Sequence, residues 1–429
     1  MKPYQLLSDT ERKNEYDVLM SEYERLKAQH LSLNMARGKP GREQLDLVSD
    51  LLTVLDNADD CVDECIDVRN YGELTGIPSA KKLFAALLGT KPEQILVGGN
   101  ASLNLMYDLI AKAYTHGLAH SPRPWAKEER VCFLCPAPGY DRHFKISQSF
   151  GMELVTIPMT ENGPDMDAVE EAVKDPCVKG IWCVPKYSNP DGIVYSDETI
   201  DRLAALRPAA PDFALMWDNA YCVHEFDGGF VPFRDMLSLC AARGNADMVY
   251  EFASTSKITF PGAGVAVMAA SEENLKYIAS LLTYQTISYD KVNQLRHVRY
   301  LKDKETTLAL MRRHAAVLAP KFGVVLETLE REIAPLQIAR WTKPRGGYFV
   351  SLYAMPGTAK RVVGLMKDAG VTLTGAGATY PYGKDPDDSN IRIAPSLPPV
   401  EELKQAMTAL CVCLRLAALE KLGIPAQNG

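Results

Sequence analysis

Lys257 closes the run Ser254-Thr255-Ser256-Lys257, directly after an apolar stretch at 248–252. A lysine amine attacks carbonyl carbon only once it has lost its proton, and burial or a nearby positive charge removes that proton. The same amine, set free again, can move a proton on a bound molecule as a tethered general acid and base. Two polar motifs upstream have the same placement. Asp218 opens Asp218-Asn219-Ala220-Tyr221 after the apolar residues 213–217, and Asn189 lies in Ser188-Asn189-Pro190-Asp191-Gly192. A buried carboxylate at Asp218 favours a protonated ring nitrogen by charge pairing and so turns a heteroaromatic ring into an electron sink. Tyr221 and Asn189 offer hydrogen-bond donors to an oxygen on such a ring.

Four further features fit the same chemistry. Gly99-Asn100-Ala101-Ser102 follows the apolar 95–97 and opens a helical pattern. Free N–H groups and a helix dipole of about half a positive charge suit a phosphate there. Ser254 and Ser256 add hydroxyl donors. Tyr140, in Pro138-Gly139-Tyr140, can stack on a flat ring. Arg392, flanked by Ile391 and Ile393, can clamp a carboxylate with two parallel hydrogen bonds. Each has an ordinary reading too: an Asp N-caps helices, Asn-Pro-Asp-Gly makes turns, and a strand arginine forms structural ion pairs. The combination, in this order, favours the chemical reading.

The elements that must hold these residues alternate. Short apolar runs at 95–97, 131–134, 154–157, 180–184, 213–217, 248–252 and 265–269 are separated by helical patterns, among them 103–113 and 167–173. Alternating strand and helix predicts a mostly parallel sheet covered on both faces. Such sheets bind ligands at the carboxyl ends of their strands, and the motifs at Gly99, Asn189, Asp218 and Ser254 each follow a strand. After about residue 300, long charged helices precede strand-like runs at 347–350 and 390–393 and a final helical pattern, which reads as a second, α+β unit. A charged helix at 8–29, with Leu19, Tyr23 and Leu26 on one face, is expected to join it.

With 429 residues and a net charge of −7, the chain has core enough for two domains and lacks the basic surface of a general nucleic-acid binder. The start carries charge rather than the apolar run of a secretory signal, and no apolar run approaches membrane-spanning length. The expectation is a cytoplasmic protein. The ten cysteines read as free thiols, and Cys132-x-x-Cys135 as strand residues without a second pair at zinc spacing.

Together these residues make the chain resemble the fold-type I pyridoxal-phosphate enzymes, the aspartate aminotransferase superfamily, over about 34–395. The strings Met35-Ala36-Arg37-Gly38-Lys39-Pro40, Tyr71-Gly72-Glu73-Leu74-Thr75-Gly76-Ile77-Pro78 and Asp290-Lys291-Val292-Asn293-Gln294-Leu295-Arg296-His297 are similar to a divergent aspartate aminotransferase subgroup. The resemblance implies an α/β fold: a large domain at 61–299, with a mostly parallel seven-stranded sheet between helices, and a smaller α+β domain at 300–429 joined by 1–60. It implies pyridoxal 5′-phosphate held by Lys257, and ping-pong transfer between an L-amino acid, foremost L-aspartate, and a 2-oxo acid, 2-oxoglutarate. It also implies that the Gly38 backbone meets the substrate carboxylate, and that Tyr71 reaches the cofactor phosphate of a partner in a homodimer.

The same cofactor residues would serve a β-lyase or decarboxylase. A pyridoxal-phosphate-sensing DNA-binding regulator would need a module that the acidic stretch before Asn34 does not supply. Two departures from the family pattern stand out. No arginine follows Lys257 in Ile258-Thr259-Phe260-Pro261-Gly262-Ala263-Gly264, which leaves Ser102, Ser254, Tyr71, Thr259 or another cation to hold the phosphate. The arginine for a distal substrate carboxylate has no clear counterpart; Lys291, Arg296 and Arg37 are the alternatives.

Overall fold

The structure, a computed structural model, describes residues 2–424. Its main sheet contains β1 (Ile95–Val97), β2 (Cys132–Ala137), β3 (Glu153–Thr160), β4 (Gly163–Pro164), β5 (Val178–Cys183), β6 (Ala214–Asp218), β7 (Val249–Ser254) and β8 (Ala266–Ala269). Their spatial order is β1-β8-β7-β6-β5-β2-β3-β4. The run from β7 through β6, β5 and β2 to β3 is parallel. β8 is antiparallel to both of its neighbours, β1 and β7. The seven expected strands are present; β4 is an eighth, two residues long, folded back on β3 where Gly163 adopts φ 125°.

β2 and β5 are buried at every position and β6 likewise, as strands covered by helices on both faces must be. One apolar core fills each face of the sheet. A third core lies apart from it. There the antiparallel strands β9 (Ala339–Trp341), β10 (Val350–Ala354) and β11 (Asn390–Ile393) pack with helices Lys304–Glu332, Ala359–Asp368 and Val400–Lys421. Helix Asp9–Lys27 buries Tyr16, Leu19, Tyr23 and Leu26 in this core. Leu33–Asn34 then pairs in parallel with Val371–Thr372 and brings the following residues back toward the sheet.

Helix Lys304–Glu332 spans both units: Leu310 and Met311 pack in a sheet-side core, Leu318 and Phe322 in the third. The expected strand at 347–350 begins only at Val350. Tyr348 and Phe349 precede it as irregular backbone, with Gly347 at φ 80° against Tyr187. All ten cysteines are free, and Cys132 and Cys135 are buried in β2. Among the described residues no helix is long and apolar enough to cross a membrane.

Candidate active site

The carboxyl ends of the parallel strands open into a cavity of about 720 Å³ between the sheet and the third core. Its lining includes Gly38, Ser102, Tyr140, Asn189, Asp218, Tyr221, Lys257 and Arg392, which the sequence had separated by hundreds of residues.

Lys257 ends a single-turn helix, Thr255–Lys257, that follows β7. Ser254 Oγ accepts the Ser256 N–H at 3.4 Å, and buried Thr255 Oγ1 accepts the Val265 N–H at 2.9 Å, which pins the turn to the start of β8. The amine therefore points into the cavity from a rigid corner. It lies 4.9 Å from the Tyr221 ring centre and 5.9 Å from that of Tyr348, and it has no hydrogen-bond or ion-pair partner among the described residues. Desolvation pushes its pKa below the ordinary lysine value, opposed by the negative charge of Asp218. A lysine so placed holds its proton weakly, the condition for a nucleophile and a base.

Asp218 ends β6 and is buried. Its Oδ2 lies 2.9 Å from His143 Nε2, and His143 stacks on Trp182 at 4.4 Å and 9°. Its Oδ1 is buried with no partner. A buried carboxylate oxygen without a donor is costly unless a ligand supplies one. His143 was missing from the sequence reading. Its only local signal was position, three residues past Tyr140 at the end of β2, because its partner is 75 residues away.

Tyr348 is a second addition: its hydroxyl receives a hydrogen bond from Gln44 Nε2 at 2.9 Å, which fixes the ring that walls the Lys257 amine. Burial raises the Tyr221 hydroxyl well above the ordinary tyrosine range and Tyr140 to about 12, so both remain protonated donors.

Arg392, in β11, is buried and lies 4.9 Å from the Phe349 ring centre. Nη1 donates to Asp141 Oδ1 at 3.0 Å and to Asn189 Oδ1 at 3.2 Å; Nη2 donates to Thr374 Oγ1 at 3.2 Å. Thr374 in turn donates to the Ala36 carbonyl at 2.7 Å and so ties the guanidinium to the segment carrying Gly38. A Cβ on Gly38 would lie 2.5 Å from Phe349 Cζ, so this close approach needs glycine.

Other expected residues lie elsewhere. Gly99, Asn100 and Ala101 lead into helix Ser102–Thr115 without lining the cavity; Ser102, Leu103 and Met106 of that helix line it. Ser254 and Ser256 also lie off the lining, and the Ser254 hydroxyl donates to Ser256 Oγ at 3.0 Å. Thr259 is spent inside the protein. Its hydroxyl contacts Thr255 Oγ1 at 3.0 Å and His297 Nε2 at 2.8 Å, and Thr259 does not line the cavity. Tyr71 is 78% exposed and outside this cavity.

Lys291, an alternative for the distal carboxylate, is buried, with its amine donating to the carbonyls of Asn70 and Gly72; it holds the Tyr71 loop instead. Arg296 does not line the cavity. Arg37 does, together with Lys39 and Arg142, and none of these three side chains has a hydrogen-bond or ion-pair partner among the described residues.

This sheet, with its lysine corner and buried carboxylate, defines an aminotransferase of fold type I. The chain belongs to the aspartate aminotransferase family: the family model described as aspartate amino-transferase matches residues 7–425. It is 48% identical over 405 residues, 94% of each chain, to an aspartate aminotransferase of Corynebacterium glutamicum. The crystal structure of an aspartate transaminase from C. glutamicum superposes with a TM-score of 0.94, at 47% identity, covering 97% of this chain and 98% of that one. The fold extends to an α-aminoadipate aminotransferase of Thermus thermophilus, complexed with N-(5′-phosphopyridoxyl)-L-leucine, with a TM-score of 0.73 at 21% identity over 94% and 95% of the two chains. The family's cofactor is pyridoxal 5′-phosphate. The residues here fit it: Asp218 Oδ1 is an unused acceptor for a ring N–H, and Lys257 is an amine without a hydrogen bond facing the same cavity.

Proposed function

We propose that this enzyme transfers the amino group of L-aspartate to 2-oxoglutarate by a ping-pong mechanism. The observation that carries the substrate reading is the excess of cations around one cavity. Arg392 lies at its inner wall, and Arg37, Lys39 and Arg142 line it with uncommitted side chains. A dicarboxylate uses both groups: Arg392 for the α-carboxylate, beside the Gly38 backbone, and Arg142 with Arg37 for the distal one.

When bound, pyridoxal phosphate supplies an electron sink for the charge left on the substrate α-carbon. Asp218 would keep the ring nitrogen protonated, with His143 holding Asp218 in place. Tyr221 and Asn189 would donate to the ring's oxygen, and Tyr140 would cover one face of the ring. Ser102 and the first N–H groups of its helix would hold the phosphate. Lys257, desolvated beside Tyr221 and Tyr348, would move the proton at the α-carbon. The exposed Tyr71, on a loop anchored by Lys291, suits a homodimer in which it completes the neighbouring cavity.

The test is the visible absorption of the purified protein during titration with L-aspartate and with L-alanine, no acceptor present. L-aspartate should convert the cofactor's absorption band at lower concentration than L-alanine. Arg142→Ala should weaken the L-aspartate response about tenfold or more, the worth of a charged hydrogen bond, and leave that of L-alanine in place. Equal losses for both amino acids would refute the distal-carboxylate role.

A further inference from the structure

Arg392 has five N–H groups, and their partners restrict how a carboxylate can approach. Both N–H groups of Nη1 are engaged, by Asp141 at 3.0 Å and Asn189 at 3.2 Å, and one of Nη2 is engaged by Thr374 at 3.2 Å. Nε is buried without a partner. A ligand arriving from the cavity therefore finds one N–H free at the end of the guanidinium. An end-on two-point clamp needs one N–H from each terminal nitrogen. Of the two Nη1 partners, Asn189 is a buried neutral amide at the floor of the site. Asp141 is a partly exposed carboxylate on the first turn of helix Asp141–Ser149, lining the same cavity, with Arg392 as its sole hydrogen-bond partner among the described residues. It presents to Arg392 the chemical group that the substrate presents.

We infer that Asp141 is a resident occupant of the substrate-carboxylate subsite. It holds the guanidinium in register with Asn189 and Thr374 while the cleft is empty, and it yields Nη1 when a substrate carboxylate arrives. Its displacement lowers the affinity of every carboxylate for this subsite. A ligand with a second carboxylate recovers the loss at Arg142 and Arg37; a monocarboxylic amino acid does not. Asp141 is thus a positioning residue that sets one displacement cost for every carboxylate at this subsite, a cost that a second carboxylate offsets. The neighbouring residues of the same turn also face the site, Arg142 on the cavity lining and His143 on Asp218, so movement of Asp141 is sensed where the substrate and the ring are held.

This inference rests on the proposed role of Arg392, and its test separates the two. Calorimetric binding of succinate, a dicarboxylate without an amine, is measured on the cofactor-loaded protein and on its Asp141→Asn, Asp141→Ala and Arg392→Ala variants. Asp141→Asn and Asp141→Ala should bind succinate about fivefold more tightly, the scale of a partly exposed ion pair released from competition, and should lower KM for L-aspartate. Propionate should tighten by the same factor, because it displaces the same Asp141 contact and the common cost cancels in the ratio of the two affinities. Weaker or unchanged succinate binding in both variants overturns the inference and leaves Asp141 as a plain structural anchor. If Arg392→Ala binds succinate as well as the parent does, the carboxylate role of Arg392 itself fails.

Discussion

Asp218 ends β6 and Asp212 lies two residues before the strand begins, and both are buried. Asp212 is saturated: it accepts from Ser121 Oγ at 2.7 Å, Trp125 Nε1 at 2.8 Å and Lys179 Nζ at 2.7 Å. Asp218 has one contact, with His143, and an oxygen left open toward the cavity. The buried lysines repeat the contrast. Lys186 meets Glu225 at 2.5 Å and the carbonyls of Cys222 and Val231, whereas Lys257 faces two aromatic rings. Buried charge is tolerated where the protein satisfies it, and the unsatisfied groups collect where a ligand is expected to complete them. The number of a residue's partners thus separates a side chain held by the protein from the same type of side chain left open at the cavity.

The largest effect should come from Lys257→Ala. Single-turnover transamination should fall by at least about 10⁴-fold with the fold intact, since the proposed nucleophile and base would both be removed. Retained turnover would break the contrast with Lys186 outright. Asp218→Asn should lower kcat/KM by about 10²- to 10⁴-fold while circular dichroism and Tm stay near the parent values.

Asp212→Asn should do the reverse. Losing the carboxylate leaves buried Lys179 with only its longer contact to Glu128, at 3.7 Å, and should cost up to about 3 kcal/mol in urea unfolding, with activity per folded molecule preserved. If both aspartate variants lost stability alike, partner count would carry no functional meaning.

The smallest effect concerns pH. Burial pushes the Glu251 carboxyl, which accepts from Asn219 Nδ2 at 2.8 Å beside Asp218, up to about 8. Folded protein then binds more protons than unfolded chain between the ordinary glutamate value and pH 8, so stability falls as pH rises through that window. Glu251→Gln should remove this slope, worth about 2–4 kcal/mol between pH 5 and pH 8. His297 and His314, lowered by burial to about 4, act oppositely: their folded forms resist protonation, so stability falls as pH drops from 6.5 toward 4. Urea midpoints across pH 4–9 for parent and Glu251→Gln measure both limbs.

The parallel sheet was legible because its strands are continuous apolar runs broken by helical periods, as in 213–217 and 248–252. Lys257, Asp218, Tyr221, Asn189 and Arg392 were legible because each follows a strand or lies in one, and all line one cavity. β4 was not legible, since two residues hold no period and Gly163 alone marks the turn. Thr259 misled because nothing local shows that its hydroxyl turns inward to His297, 38 residues on. Lys291 misled for a similar reason: its partners, the carbonyls of Asn70 and Gly72, lie more than two hundred residues upstream.

The amino-acid sequence by itself determined the alternation of elements, the sheet edge where the cavity opens, and that Lys257 lies at that edge, because these depend on periodicity and on residues within one strand–loop unit. Only the tertiary structure decided which groups stay unpaired. Hydrogen-bond satisfaction is a property of neighbours brought together across the chain. Asp218 differs from Asp212, Lys257 from Lys186, and Arg142 from Lys291 through contacts that span tens to hundreds of residues.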